Sequence, residues 1–508
     1  MPIFAAIDIG ANSVRLKIAR LVRGRRLEVV HEDREVTRLG ASVFRSGQLA
    51  PEAMAHTVEV LQRFYKATQR YGTDAVRLVA TSALRDARNA HAFTEWVKAA
   101  TGWKVEVITG LEEGRLIHLG IVSNTRLASG RMLLVDLGGG SCELTLSAGG
   151  HIKQMASLPL GAVRLTGDFL QHDPPKKKEL RRLREFIAEE LSRLGSKLEP
   201  MRGRAMIGTS GTAAALAGAA KVKLGRGLVS EGVTRATTVK LAKRLAQMSR
   251  QERAALPGIG PRRSEIIVAG AAVFATLMET ARLAGFRYSP LGLRDGLLAQ
   301  MAADYDRRTP LRRRIEADRR DALLSMARHY DVDLGFAEHV RELALQLFGE
   351  LKRLHGLSPE YAEWLGAAAM LHEVGAFINR SGRRRHTHYI VAHSDIFGYS
   401  VRERQVIAAI TRYLGKSRPS GDDALMKRFA PAERNAIRRA VVLLRLARAL
   451  NHGRRGAVRR VRAGVRGGEV RLRVGTKRGG ADLEMWALAK ERAYFREVFG
   501  RDLRAEEA

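Results

Sequence analysis

An apolar strand that ends in Asp and runs into a glycine-bearing turn occurs twice in this chain of 508 residues. Ala5-Ala6-Ile7-Asp8-Ile9-Gly10-Ala11-Asn12-Ser13 aligns on Leu133-Leu134-Val135-Asp136-Leu137-Gly138-Gly139-Gly140-Ser141, with the Asp, the first Gly and the Ser at one constant offset. A second apolar run follows each copy at once, Val14–Ala19 and Cys142–Leu146. Each unit therefore predicts a β-hairpin whose loop is the size of a phosphate. Glycine lets the backbone approach such a group closely, and the loop N–H groups with the Ser hydroxyl can donate to its oxygens. The strand-end Asp can hold a divalent ion against the same phosphate. One such loop is an ordinary turn. A matched pair in matched hairpins predicts two facing lobes with phosphate chemistry between them.

Strand and helix patterns alternate around both copies, which predicts α/β lobes. A further expected strand, Arg204–Ile207, runs into Gly208-Thr209-Ser210-Gly211-Thr212, a turn that opens a helix and so favours an anion. Arg307-Arg308-Thr309-Pro310 and Arg312-Arg313-Arg314 read as an exposed connector, beyond which the pattern is helical to about Leu450. The tail alternates apolar and basic residues at Val458–Val465 and Glu469–Val474, as half-buried strands do, and ends in an amphipathic helix expected at Glu491–Phe499.

The chain is too long for one core. Its 88 basic residues against 53 acidic ones leave a formal charge of +35, which points to a polyanionic partner or to a basic background. With aromatic residues at 6%, base-stacking platforms are disfavoured, so no specific nucleic-acid partner is expected. The single cysteine, Cys142, excludes an intrachain disulfide and a Cys-rich metal site. The chain enters its first strand at once and no apolar run reaches the length of a membrane span, so a cytoplasmic protein is expected.

Three further motifs carry chemistry. Thr81-Ser82-Ala83-Leu84-Arg85 follows a strand and offers hydroxyls and a guanidinium to a phosphate; a capped helix with surface arginines is the plain alternative. Thr109-Gly110-Leu111-Glu112-Glu113-Gly114-Arg115-Leu116 places adjacent carboxylates at a helix start, where acids ordinarily just complement the dipole. Water activation would need one of them lodged in the cleft, and helical periodicity does not decide which Glu points inward. The histidines His339, His372, His386, His388 and His393, with Glu373 after His372, suggest a second, metal-dependent site.

Taken in order, Asp8–Ser13, Thr81–Asn89, Gly110–Leu116, Asp136–Ser141 and Gly208–Thr212 resemble the exopolyphosphatase/guanosine pentaphosphate phosphohydrolase (Ppx/GppA) family, within the actin-like ATPase superfamily. The stretches Ala367–Gly375 and His386–Ile390 resemble the helical domain of that family's long members. The resemblance implies two actin-like (ribonuclease H-like) lobes at 1–123 and 124–306, an all-α HD-like domain at 307–450 and a small α+β domain at 451–508. It implies Glu113 as general base with Arg85 beside it, and Asp8, Asp136 and Glu143 as ligands of Mg²⁺, with Mn²⁺ the alternative. It implies a phosphate cradle of Gly10, Asn12, Ser13, Thr81, Ser82, Gly138, Gly139, Gly140, Ser141, Gly208, Ser210, Gly211 and Thr212. A homodimer is a further implication. Departures are mild: Ala11 where Ser is frequent, Gly114 where Ala is frequent, and Cys142 where Thr is frequent. In the HD-like region Glu373 stands where Asp is usual and Arg448 where a later Asp is usual, so a degenerate scaffold is expected.

The substrate expected from charge is inorganic polyphosphate, hydrolysed from its end, with the arginine runs Arg383-Arg384-Arg385, Arg438-Arg439, Arg454-Arg455 and Arg459-Arg460 lining a channel or simply solvated. The alternative at the same site is the 5′ phosphate of pppGpp, with ppGpp as a related ligand. A sugar- or acetate-kinase-like phosphotransferase and a catalytically dead polyanion binder are readings from other classes. The Glu-Glu motif argues against the first, and the intact Asp8, Glu113, Asp136 and Glu143 set against the second.

Overall fold

The computed structural model describes residues 1–22, 26–125, 130–223, 229–306, 308–415, 417–420, 422–476 and 480–507. Two compact units divide the chain, Met1–Arg314 and Ile315–Ala508.

In the first unit, β1 (Ile3–Ile9), β2 (Val14–Leu21), β3 (Leu27–Glu35), β4 (Ala75–Ala80) and β5 (Glu106–Val107) form one sheet in the order β3-β2-β1-β4-β5. A second sheet holds β6 (Arg131–Leu137), β7 (Cys142–Ala148), β8 (His151–Leu158), β9 (Ala205–Thr209), β10 (Gly232–Thr234) and β11 (Gly285–Tyr288) in the order β10-β11-β9-β6-β7-β8. In each sheet three antiparallel strands lead into parallel neighbours: β1 pairs with β4 and β4 with β5, as β6 pairs with β9 and β9 with β11. Apart from the antiparallel edge strand β10, the sheets have the same topology. The repeat seen in two short motifs is therefore a repeat of the whole strand order. Parallel strands need covered faces, and these are supplied by helices such as Pro51–Arg70 and Ala90–Thr101 on the first sheet and Ile267–Thr280 on the second.

Two helices pack on the other face of the first sheet, Gly110–Asn124 and Leu293–Tyr305; Leu116 and Ile117 join Leu293, Leu297 and Leu298 against Phe4, Ala6 and Val79. They approach backbone to backbone. A Cβ at Gly296 would overlap the Leu116 carbonyl, and one at Gly120 would lie 2.8 Å from the Gly292 carbonyl. The expected boundary between residues 123 and 124 thus falls inside the first unit, and a helix from the end of the expected second lobe covers the first sheet.

The second unit is one hydrophobic core. Helices Leu334–Glu350, Glu360–Leu371, Arg383–His393, Val401–Arg412 and Pro431–Ala449 share it with a three-stranded sheet of β12 (Val458–Arg466), β13 (Glu469–Thr476) and β14 (Asp502–Glu507). Val461, Leu472, Val474 and Leu503 from these strands are buried against the helices, so the segments on either side of the expected division at 450 share one core. The last helix begins at Asp482, earlier than its amphipathic end suggested. The expected connector is exposed at Arg308, Pro310 and Arg313, but not throughout. Helix begins at Pro310, Thr309 and Arg312 are buried, and Arg312 pairs with Asp304 at 2.6 Å; Arg307 lies outside the described residues.

Candidate active site

Both hairpin turns close with the same bond. The Gly10 N–H donates to the Ser13 carbonyl at 3.1 Å, and the Gly138 N–H to the Ser141 carbonyl at 3.0 Å. The two loops meet. A Cβ on Gly139 would lie 2.9 Å from the Ala11 Cβ and 3.4 Å from the Asn12 nitrogen, and one on Gly140 would overlap Ser82 and Phe44. Glycine is required there because another loop's backbone and side chains fill the space. Arg164 donates to the Gly140 carbonyl at 2.9 Å and also bonds Asp86, fixing that loop.

Helix Gly110–Asn124 delivers the carboxylates. Thr109 caps it, its hydroxyl accepting from the Glu112 N–H at 3.2 Å, and Gly110 and Gly114 let it lie close on β7 and β8. The ambiguity between the adjacent acids is resolved by Arg115. Its guanidinium grips Glu112 through two bonds of 2.7 and 2.8 Å and reaches Gln300 at 2.6 Å. Glu113 turns the other way, towards β6 and β7.

There Glu113, Asp136 and Glu143 each offer an oxygen within 4.8 Å of the others. Asp136 accepts from the Thr209 hydroxyl, and Glu143 from the Ser157 hydroxyl at 2.9 Å. Glu113 Oε2 and Glu143 Oε2 are buried and no donor among the described residues reaches them. Burial raises all three carboxyls, Glu143 to about 7 and Glu113 well above its ordinary value, and their mutual repulsion adds to the effect on both glutamates. Three crowded buried acids with two unsatisfied oxygens fit a hard divalent cation. The fourth expected acid, Asp8, stands outside this triad. It ends β1 with Arg15 as its cross-strand partner, and burial raises its carboxyl against the pull of Arg15 and Arg294. The structure thus gathers Glu113, rather than Asp8, with Asp136 and Glu143.

Arg85 joins the loops to the acids. It donates to the Ile108 carbonyl at 2.8 Å and the Ser141 hydroxyl at 3.4 Å, and lies 3.8 Å from Glu113 Oε2. Ser13 accepts from Arg15 at 3.3 Å, while Asn12 Nδ2 is buried without an acceptor. Other expected cradle residues are occupied otherwise. Thr81 and Ser82 are buried behind Gly140, and Thr212 is packed under Gly270. The Ser210 hydroxyl donates to the Leu137 carbonyl at 2.9 Å, with φ at 70°. Gly208 is wedged against Phe274, and Gly211 lies beneath the Arg263 guanidinium.

Sequence reading missed the cationic half of the site. Arg15 on β2 is paired directly with Arg34 on β3, an arrangement of like charges that disfavours the sheet. Burial and the neighbouring arginines Arg15, Arg262 and Arg294 pull Arg34 down to about 10, and burial with Arg15 and Arg34 pulls Arg263 to about 9. Arg34 Nε and Nη2 are buried without acceptors among the described residues. The hairpin register that sets Arg15 opposite Asp8 was not read from the sequence. Arg34 and Arg263 needed the sheet register and the loop 260–266, for which the sequence carries no motif. Carboxylates on one side and guanidiniums on the other, that of Arg34 with two nitrogens unsatisfied among the described residues, suit a metal-bound phosphate.

Comparison with known proteins agrees. The Ppx/GppA phosphatase family matches residues 17–304, and domain III of that family matches 319–490. The chain is similar to the guanosine-5'-triphosphate,3'-diphosphate pyrophosphatase of Vibrio vulnificus, 27% identical over 454 residues, which are 89% of this chain and 88% of that one. Among solved structures, the Aquifex aeolicus Ppx/GppA family member is 30% identical with a TM-score of 0.51, covering 60% of this chain and 99% of its own. An exopolyphosphatase from Cytophaga hutchinsonii, 24% identical with a TM-score of 0.55, covers 59% of this chain and 98% of its own and shares the fold. The chain belongs to the Ppx/GppA phosphatase family.

Proposed function

We propose that this chain is a divalent-metal-dependent phosphoanhydride hydrolase that removes the terminal 5′ phosphate of guanosine pentaphosphate. The observation that carries the reaction is the buried triad of Glu113, Asp136 and Glu143, with two oxygens unsatisfied, beside paired phosphate-sized loops. The nucleotide is supported by the relatives, whose names specify a guanosine-5'-triphosphate,3'-diphosphate substrate. Formal charge alone put inorganic polyphosphate first, and the relatives reverse that order. The polymer remains the second reading, favoured by the net +35.

Mg²⁺, or Mn²⁺ in its place, held by Glu113, Asp136 and Glu143, would neutralise charge on the terminal phosphate. The loops 10–13 and 138–141 donate backbone N–H groups, and Arg15, Arg85 and Arg263 grip phosphate oxygens, fixing the anhydride in line for attack. Glu113 takes the proton of the attacking water. Burial and the repulsion of Glu143 raise its affinity for a proton, as a base for water requires. Thr209 and Ser157 hold Asp136 and Glu143 in orientation. In the same reading the two sheets are actin-like lobes, the helices of the second unit are HD-like, and the protein is a cytoplasmic homodimer.

Phosphate release from pppGpp and from long-chain polyphosphate, with Mg²⁺, tests both readings. The expected result is faster release from pppGpp and a loss of roughly 10²–10⁴-fold in Glu113→Gln. Preference for the polymer would install the second reading, and no release from either would end the catalytic one.

A further inference from the structure

In the second unit, His372 and Glu373 follow helix Glu360–Leu371, where the sequence suggests a remnant of a metal site. The structure does not fit a metal. Arg454 Nη2 lies 2.7 Å from both oxygens of Glu373, and Arg383 Nη1 lies 3.4 Å from one of them. A guanidinium already stands where a cation would bind. His372 turns Nδ1 to the Ala369 carbonyl at 2.6 Å, which fixes the proton there and leaves Nε2 as a buried lone pair with no donor.

Two more arginines converge on this point. Arg448, from helix Pro431–Ala449, donates to the Leu414 carbonyl at 2.9 Å, and its Nε is buried with no acceptor. Arg384 lies against Gly415, and its Nε is likewise buried with no acceptor among the described residues. Arg383, Arg384 and Arg454 repel the charge of Arg448, against the attraction of Glu373. Arg454 and Arg383 contact Glu373, and Arg454 also reaches Asp333 at 3.9 Å, so the guanidiniums here outnumber the carboxylates they contact. Cations held together without matching counter-charge are costly when they are even partly buried, so such a cluster favours an anion. The floor is buried, while Arg383 and Arg454 stand at the rim with side chains 31% and 45% exposed, so a small solute has access.

We propose that this cluster binds a phosphate group, with Arg383, Arg384 and Arg448 gripping the oxygens and the Glu373–Arg454 pair forming one wall. Guanidinium forks match phosphate in bidentate geometry, which lysine does not. The inference is independent of the reaction proposed for the first unit.

Hydrogen exchange of the full chain, read separately over residues 372–393 and 441–454, tests it. The probes are inorganic phosphate, tripolyphosphate and Mn²⁺ alone. Phosphate or tripolyphosphate should slow exchange in both segments, and Arg384→Ala should weaken that effect roughly tenfold or more while leaving ligand protection at 8–13 and 136–143 intact. Arg384→Lys, which keeps the charge without the fork, should recover only part. Protection by tripolyphosphate but not phosphate would support the site and identify its source as a phosphate chain. Protection by Mn²⁺ alone, protection confined to 8–13 and 136–143, or an Arg384→Ala chain that responds like the wild type would each overturn the proposal.

Discussion

The hairpins β1–β2 and β6–β7 close with the same Gly-to-Ser bond, yet the residue opposite the strand-end Asp is Arg15 in one and Glu143 in the other. Around Arg15 lie Arg34, Arg263 and Arg294; around Glu143 lie Asp136 and Glu113. One backbone design, used twice, has been given opposite charge. A phosphoanhydride needs both kinds of partner: cations for its oxygens, and acids that hold a metal and accept a proton. A symmetric pair of hairpins with a single sign of charge would supply only half of that.

Glu143→Gln should have the largest effect on this division. It removes one charge from the triad and should lower kcat by roughly 10²–10³-fold, with the Mg²⁺ titration moved to higher concentration. An unchanged Mg²⁺ dependence would break the assignment of the second hairpin to the cation. Arg15→Ala probes the other half. Loss of a charge-assisted bond to substrate should raise KM roughly 10- to 100-fold, with a smaller effect on kcat. If kcat alone falls, Arg15 acts only in the transition state, and the division into a binding half and a chemical half is too simple.

The same division predicts a pH dependence of stability in the absence of divalent ions. Glu143 is raised to about 7 in the folded chain from an ordinary 4.5. The native state therefore holds its proton more tightly than the unfolded state, so stability is greatest below about pH 4.5 for this group and declines as pH rises towards 7. The decline should be on the order of 2–3 kcal/mol. Denaturant midpoints of the first unit between pH 5 and 8 should show it, Mg²⁺ should abolish it, and Glu143→Gln should flatten it. A slope of opposite sign would mean that the acids are paired with cations in the folded chain.

Much of the fold was legible because period-2 and helical patterns are local. The paired hairpins, the Thr109-capped helix and the turn after β9 all announced themselves through residues adjacent in sequence. What could not be read depends on register and on distant packing. β10 and β11 are short strands of four residues or fewer, too brief for a periodicity. Helix Leu293–Tyr305 is apolar on the side that meets the first sheet, but nothing in its sequence names that sheet rather than the nearer one. Arg34 reads as one charge in a polar strand until its pairing with Arg15 is known. The choice of Glu113 over Glu112 came from Arg115, whose three-residue spacing from Glu112 is visible in the sequence and could have served as the signal.

Gly114→Ala sharpens the comparison at its smallest scale, because this residue separates the helix that carries Glu113 from the strand that carries Glu143. A Cβ there would lie 2.9 Å from the Met155 methyl, 3.2 Å from the Thr145 hydroxyl and 3.6 Å from the Glu143 Cβ. The nearest of these is the end of a flexible side chain, so it can move. Alanine also favours the helix by up to about 1 kcal/mol, which offsets much of the crowding. The expected outcome is a stability within about 1 kcal/mol of the wild type and a modest loss of kcat, with Met155→Ala in the same chain relieving the contact. By contrast Gly296→Ala, where the obstacle is the Leu116 backbone, should destabilise the unit by more than Gly114→Ala does. Melting curves and steady-state rates of the three variants decide the point. A loss of kcat in Gly114→Ala as deep as that in Glu143→Gln would mean that the distance between helix and second hairpin, more than the charge on either, sets the chemistry.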